Sequence, residues 1–193
     1  MFTGIVSAIG TVVEAGSGRL AIENAETAKR LSIGASVAVN GCCLTVVQKT
    51  GAKFSMDVVP ETLRRTALGS VTPGARVNLE LPLAVDGLLD GHLVQGHVDA
   101  TGRVVRVAAT AAGHEVTVEL PADLRDFIVE KGSIAVDGVS LTVAAVDDQA
   151  GSFTVALIPH TIAVTIAGEY KEGTVVNLEA DIVARYVARN LRR

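Results

Sequence analysis

Two short, equivalent tracts hold the side chains whose chemistry this sequence could use. In Asn40-Gly41-Cys42-Cys43-Leu44-Thr45-Val46 and Asp137-Gly138-Val139-Ser140-Leu141-Thr142-Val143, a thiol and a hydroxyl occupy the same place, Cys43 against Ser140. Side chains alternate along a strand, so Cys43 and Thr45 share one face and Cys42, Leu44 and Val46 the other. Ser140 and Thr142 repeat the first face, and Val139, Leu141 and Val143 the second. The apolar set reads as core, which makes Cys42 a small buried hydrophobe. Cys43 belongs to the polar set and is the thiol that would meet a ligand; the alternative is a solvated strand face carrying an incidental thiol.

Substitutions between the two tracts and their surroundings add chemistry to the second. Ile5 corresponds to His97, Asn40 to Asp137, Glu61 to His160 and Ala35 to Gly132. The second copy therefore gains an imidazole and a carboxylate, the groups that proton transfer needs, with a structural histidine as the alternative reading of His97. His92 and His97 stand five apart without a cysteine or third ligand at metal spacing, so no zinc site is expected. Walker, GxGxxG and GxSxG patterns are absent, which removes the usual signals of nucleotide-dependent and hydrolase chemistry.

The elements that must position these groups come in two copies. Gly4–Val13 matches Gly96–Val105 at six of ten positions, Val37–Val46 matches Ile134–Val143, and Pro60–Glu80 matches Pro159–Glu179 at nine of 21. Offsets of 92, 97 and 99 in one order imply a duplicated unit of about 90 residues, longer than solenoid repeats of about 20 to 50. Short runs of Val, Ile, Leu and Thr separated by Gly, Asn and Asp predict an all-β chain. Asn40-Gly41 and Asp137-Gly138 are two-residue hairpin turns. Many short strands per copy favour a small barrel or sandwich. Asp86-Gly87 and Asp90-Gly91 place loop chemistry between the copies. Short helices are expected within residues 65–70 and 121–130. The last segment, 181–193, places apolar residues at 182, 183, 186, 187 and 191, one helical stripe with Asp181 as N-cap, to be buried on its own barrel or between subunits.

Composition narrows the classes. The net charge is 17 − 21 = −4 and aromatics are 3% of the 193 residues, which leaves neither the basic face nor the stacking platform of a single-strand nucleic-acid binder. No stretch approaches the ~20 apolar residues of a membrane helix, and the first residues lack the regions of a signal peptide, so a soluble cytoplasmic protein is expected. Adjacent Cys42 and Cys43 are poorly placed for a mutual disulfide and read as free thiols.

The opening MFTGIV, the NGCCLTV hairpin, GHLVQGHVDATG, EKGSIAVDGVSLTV and the paired VNLE endings together closely resemble riboflavin synthase of the α-chain type, over Met1 to Leu191. The resemblance implies two homologous six-stranded Greek-key β-barrels, at 1–86 and 92–180, and a C-terminal amphipathic helix at 181–193 that joins a homotrimer. It implies a transferase that dismutates two molecules of 6,7-dimethyl-8-ribityllumazine, passing a four-carbon unit to give riboflavin and 5-amino-6-(D-ribitylamino)uracil, with no metal and no organic cofactor. Association with a lumazine synthase shell stays open. The alternative is a non-catalytic lumazine- or flavin-binding antenna protein, disfavoured because both hairpins and the GHV motif keep their polar residues. A flavin reductase module is disfavoured because its Arg-x-Tyr-Ser signature is absent.

Carried over by motif, the first pocket is expected to hold Gly4, Ile5, Val6, Ser36, Cys43, Leu44, Thr45, Asp57, Val58, Val59, Pro60, Glu61 and Thr62. The second is expected to hold Gly96, His97, Val98, Ser140, Leu141, Thr142, Ala156, Leu157, Ile158, Pro159, His160 and Thr161, with Lys131 reaching a neighbouring subunit's ligand. His97, Ser140 and Asp137 are the proton-handling and polarising candidates, and Cys43 with Thr45 positions or adds to the other lumazine. Asp90, His160 and the apolar stretch 162–167 depart from the family pattern.

Overall fold

The computed structural model describes residues 1–191. Strands β1 (Ala8–Gly16), β2 (Arg19–Glu23), β3 (Ser36–Val39), β4 (Cys42–Thr50), β5 (Lys53–Asp57) and β6 (Arg76–Glu80) close an antiparallel barrel in the order β1-β2-β5-β4-β3-β6. Strands β7 (Ala100–Thr110), β8 (Gly113–Glu119), β9 (Ser133–Val136), β10 (Val139–Asp147), β11 (Ser152–Leu157) and β12 (Val175–Ala180) close a second in the same order, β7-β8-β11-β10-β9-β12. Pairing of β2 with β5 and of β6 with both β1 and β3 makes each connection a Greek key, and closure leaves no edge strand. The duplicated six-stranded Greek-key barrels expected are thus what the chain forms.

Alternation along the strands fills each interior. Val12, Ile22, Val37, Val39, Phe54, Met56, Val77 and Leu79 are buried in the first barrel, and Val104, Val116, Val118, Ile134, Val143, Phe153, Val155 and Leu178 in the second. Cys42, Leu44 and Val46 point inward, as do Val139, Leu141 and Val143, while Cys43 and Ser140 are half-buried and Thr45 and Thr142 exposed. Both two-residue turns adopt the left-handed backbone that twisted hairpins require, with φ of +44° and +75° at Asn40 and Gly41 and +45° and +76° at Asp137 and Gly138. A Cβ on Gly41 would lie 2.7 Å from the Gly138 nitrogen, so the two turns can meet back to back only as glycines.

The short helices expected within 65–70 and 121–130 form as 3₁₀ helices, at Ala67–Ser70 and Ala122–Phe127, and three short α-helices accompany them. Helix α2 (Pro60–Arg65) starts at its proline, whose fixed φ suits the first helical position, and Thr66 at φ −122° ends it; residues 67–70 form a 3₁₀ turn whose Leu68 N–H donates to the Thr66 hydroxyl at 3.3 Å. Residues 122–127 are likewise a 3₁₀ turn. Helices α1 (Ala25–Arg30) and α3 (Pro159–Val164) complete the small elements. Helix α4 (Ile182–Leu191) begins after Asp181, whose carboxylate accepts from the Val183 N–H at 2.9 Å; Arg192 and Arg193 of the expected helix lie outside the described residues. Arg185 pins α4 to the second barrel through an ion pair with Asp99 and by lying 5.9 Å over the Phe127 ring. Val183, Tyr186, Val187 and Leu191 of α4 remain exposed.

Candidate active site

The segment before each barrel crosses to the other one. The Ser140 N–H donates to the Gly4 carbonyl at 2.8 Å, and the Cys43 N–H donates to the Gly96 carbonyl at 2.8 Å. Val6 packs on the second barrel's core and Val98 on the first. The two crossing segments also pair with each other through Phe2 and Val94, by N–H···O bonds of 2.7 and 3.1 Å.

Glycine is needed at each crossing: with φ of +76° at Gly4 and +82° at Gly96, a Cβ would sit 2.6 Å from Ser140 Cβ and 2.5 Å from Cys43 Cβ. This corrects the expected grouping. Gly96, His97 and Val98 belong with Cys43, and Gly4, Ile5 and Val6 with Ser140.

Two buried carboxylates hold the crossings. Glu80 accepts from the Thr3 N–H (2.7 Å), the Thr3 hydroxyl (2.8 Å) and the Gly4 N–H (3.0 Å). Glu179 accepts from the N–H groups of Gln95 (2.6 Å), Gly96 (2.9 Å) and His97 (2.9 Å). Burial pushes both carboxyls above their ordinary pKa, against the donors that favour the charged form. Sequence reasoning missed these two residues, although the repeated VNLE endings contain both.

The remaining groups divide by what surrounds them. His97 is exposed beside the Cys43 strand. Burial pushes the Cys42 thiol up to about 12, reinforced by Cys43 and Glu179, so Cys42 is inert as a nucleophile. Ser140 has a partner that sequence reasoning passed over except as a metal ligand: His92 Nδ1 lies 2.7 Å from its hydroxyl.

Asp137 differs from its expected role. It is 2% exposed in the seam between barrels, accepting from the Asn177 N–H at 2.9 Å and the Tyr170 hydroxyl at 2.8 Å, and burial raises its pKa to about 7. Asn78 and Asn177 complete that seam reciprocally, donating to the carbonyls of Asp137 (2.9 Å) and Asn40 (2.8 Å). Its side chain is thus tied into the seam by hydrogen bonds.

Among the other candidates, the side chains of Leu44, Val58, Leu141 and Leu157 are absorbed in the barrel cores, leaving only their backbone to face a ligand. Ser36 pairs with Thr45 across β3 and β4, and its counterpart Ser133 with Thr142 across β9 and β10. Asp57, Val59, Pro60 and Glu61 are exposed and Thr62 half-buried at the end of β5 and the start of α2; Glu61 is tied to Arg64 and Arg65. Ala156, Ile158, Pro159, His160 and Thr161 repeat that arrangement in the second barrel without an ion pair at His160 among the described residues. Lys131 is exposed at φ +67°, with Glu130 as its charged neighbour.

Beside the Ser133–Thr142 pair, a cavity of about 560 Å³ opens between the second barrel and α4, lined by Phe127, Val129, Gly132, Ser133, Val183 and Val187 among others. Its size suits a small heterocycle. It was not legible in sequence, because its wall includes a helix that the first copy lacks. The described residues contain no cluster of three or more His, Cys, Asp or Glu able to hold a metal ion.

Paired Greek-key barrels with exchanged leading segments and unlike polar groups on equivalent strands define a duplicated small-ligand-binding module. A model of the lumazine binding domain matches residues 3–82 and 95–181. Riboflavin synthase of Mycobacterium tuberculosis is 47% identical over 198 residues, spanning 100% of this chain and 98% of that one. Riboflavin synthase of Bacillus subtilis is 40% identical, spanning 100% and 91%. The chain belongs to the riboflavin synthase family. Among solved structures, LumP complexed with riboflavin shares the fold, with a TM-score of 0.86 at 24% identity over 93% of this chain and 99% of that one.

Proposed function

We propose that the protein is a riboflavin synthase, an enzyme that dismutates two molecules of 6,7-dimethyl-8-ribityllumazine to riboflavin and 5-amino-6-(D-ribitylamino)uracil. The observation that carries this reading is the reciprocal exchange: each barrel's polar strand is bonded by the other barrel's leading segment, Cys43 by Gly96 and Ser140 by Gly4. One substrate must act as both donor and acceptor of four carbons, and two homologous pockets with unlike polar groups can hold it in both roles.

The ring of the lumazine delocalises the carbanion formed at its C7 methyl, so a weak base suffices, and stacking two rings face to face supplies much of the rate by proximity. His97 is an exposed imidazole beside the Cys43 strand, available to move that proton. Cys43 and Thr45 sit on the strand face toward the first ligand, with Ser36 beside Thr45 and the start of α2 at its rim; Ser140 and Thr142, with Ser133 and the start of α3, do the same in the second barrel.

The units 1–86, 92–180 and 181–193 serve as two binding barrels and an assembly helix. The exposed apolar face of α4 supports a homotrimer in which the first barrel of one subunit meets the second barrel of the next, with Lys131 reaching across. No helix of the described residues is long and apolar enough to cross a membrane, in keeping with a cytoplasmic enzyme.

The test is direct. The purified protein mixed with the lumazine should generate riboflavin absorbance, without added nucleotide and after chelation. Tight binding of lumazine with no riboflavin formed would instead support an antenna protein.

A further inference from the structure

We propose that Glu179 is a positioning residue for the reaction: a carboxylate of the second barrel that fixes where the His97 imidazole stands beside Cys43 in the first. The inference rests on the reading of His97 as the proton-moving group and deepens it.

The imidazole is not held by its own ring. His97 is exposed, and its side chain makes no hydrogen bond among the described residues. Its backbone is held instead, at both ends of one peptide plane. The Gly96 carbonyl accepts from the Cys43 N–H at 2.8 Å, and the His97 N–H, on the far side of that plane, donates to Glu179 Oε2 at 2.9 Å. A trans peptide is rigid, so fixing the plane at two ends fixes the His97 Cα and leaves only χ1 and χ2 to the ring.

The hold leaves the segment little room to slide. Glu179 is 4% exposed on β12; its Oε2 also accepts from the Gly96 N–H at 2.9 Å and its Oε1 from the Gln95 N–H at 2.6 Å. A shifted crossing would strip partners from a buried carboxylate and from three N–H groups together. On the opposite side, a Cβ on Gly96 would lie 2.5 Å from Cys43 Cβ, and Val98 packs on the first barrel's core. The crossing is clamped between the two barrels with His97 at its centre.

The first copy does this differently. Gln95 stands where the first copy has Thr3. There the Thr3 hydroxyl donates to Glu80 at 2.8 Å and accepts from the Ile5 N–H at 3.2 Å, so Glu80 reaches Ile5 only through a hydroxyl and a longer bond. In the second copy the carboxylate takes the N–H itself. The direct bond therefore falls in the copy whose crossing carries an imidazole.

Riboflavin formation by the full chain, followed over hours so that slow variants are measured too, tests this together with KM and melting temperature. Glu179→Asp keeps the charge and shortens the reach. Glu179→Gln keeps the length and one oxygen, which can serve Gly96 and His97 as Oε2 does and gives up only the Gln95 bond. Glu80→Asp shortens the equivalent carboxylate away from His97.

Glu179→Asp should lower kcat about tenfold or more with KM nearly unchanged, because a displacement of about 1 Å can cost about 10²-fold in rate. Glu179→Gln should stay within about threefold of wild type, and Glu80→Asp should lose less kcat than Glu179→Asp at a similar fall in melting temperature. In a His97→Ala chain, Glu179→Asp should change kcat less than about twofold while its fall in melting temperature persists. Losses in kcat that multiply, a glutamine poorer than aspartate, a change confined to KM, or a fully active His97→Ala would overturn the inference. If Glu179→Asp does not fold, Glu179→Gln decides: a loss beyond about threefold, or one that persists in His97→Ala, overturns the inference, and a smaller loss that vanishes there supports it. A wild-type chain that makes no riboflavin overturns the synthase reading and this inference with it; an active wild type with a fully active Glu179→Asp overturns the inference alone.

Discussion

Replacing Asp137 with asparagine should make the protein more stable, and increasingly so as pH rises. The Asp137 carboxyl is held in the seam with its pKa raised by burial from 3.8 to about 7, the Asn177 N–H and Tyr170 hydroxyl opposing the shift. The folded chain therefore binds this proton more tightly than the unfolded chain does. Its contribution to stability is complete below pH 3.8, falls as pH rises toward 7 and is flat beyond that.

A shift of roughly three units at about 1.4 kcal/mol each amounts to about 4 kcal/mol lost by pH 8. Asparagine cannot ionise and keeps the contacts: in the first copy, the side-chain oxygen of Asn40 accepts from the Asn78 N–H at 2.7 Å, as Asp137 does from Asn177. Thermal unfolding of wild type and D137N from pH 4 to 8 should give curves that converge at the acid end and separate by about 10 °C at the other. Glu80 and Glu179, whose pKa values are also raised by burial, slope the same way in both proteins and cancel in the difference. Turnover should stay at the wild-type level. A difference that does not grow with pH, or a less stable D137N at pH 8, would refute the seam electrostatics; intact stability with lost turnover would return Asp137 to the catalytic set.

Three further outcomes are expected. Cys42→Ala, deep in the first barrel core, should cost about 1 to 2 kcal/mol in denaturant titration and leave lumazine binding intact, whereas Cys43→Ala should weaken binding or turnover at an unchanged melting temperature; equal effects of both would contradict the facing of β4. Removing residues 182–193 should lower the oligomeric state in light scattering, and a surviving trimer would confine α4 to local packing. A chain carrying Cys43→Ala with His97→Ala and one carrying Ser140→Ala should be nearly inactive separately, yet regain part of the activity when refolded together. Mixed trimers, verified by mass spectrometry, that stay inactive would place the whole site within one chain.

Much of the fold was legible because its causes are local. The duplication, the two I′ turns, the inward Cys42–Leu44–Val46 face and the capped terminal stripe follow from side-chain period and glycine conformation, which depend on near neighbours alone. The short helices within 65–70 and 121–130 were legible, but the α-helix ahead of the first was not, its bounds being set by Pro60 as a starting signal and Thr66 as a stop. At the site, the residue types on β4 and β10 were readable, but their companions were not. His97 was grouped with Ser140 because both lie in the second copy, yet chain order does not say which barrel a leading segment will join.

By itself, then, the sequence determined two homologous closed barrels, their polar and apolar strand faces and the family whose motifs they repeat. Only the tertiary structure decided that Gly4 serves Ser140, that Gly96 serves Cys43, that His92 rather than His97 touches the serine, and that Asp137 belongs to a seam. The physical reason is that these are contacts between segments 33 to 136 residues apart in the chain. They are selected by where two buried carboxylates, Glu80 and Glu179, find backbone N–H donors once both barrels have closed, and no local pattern records that choice.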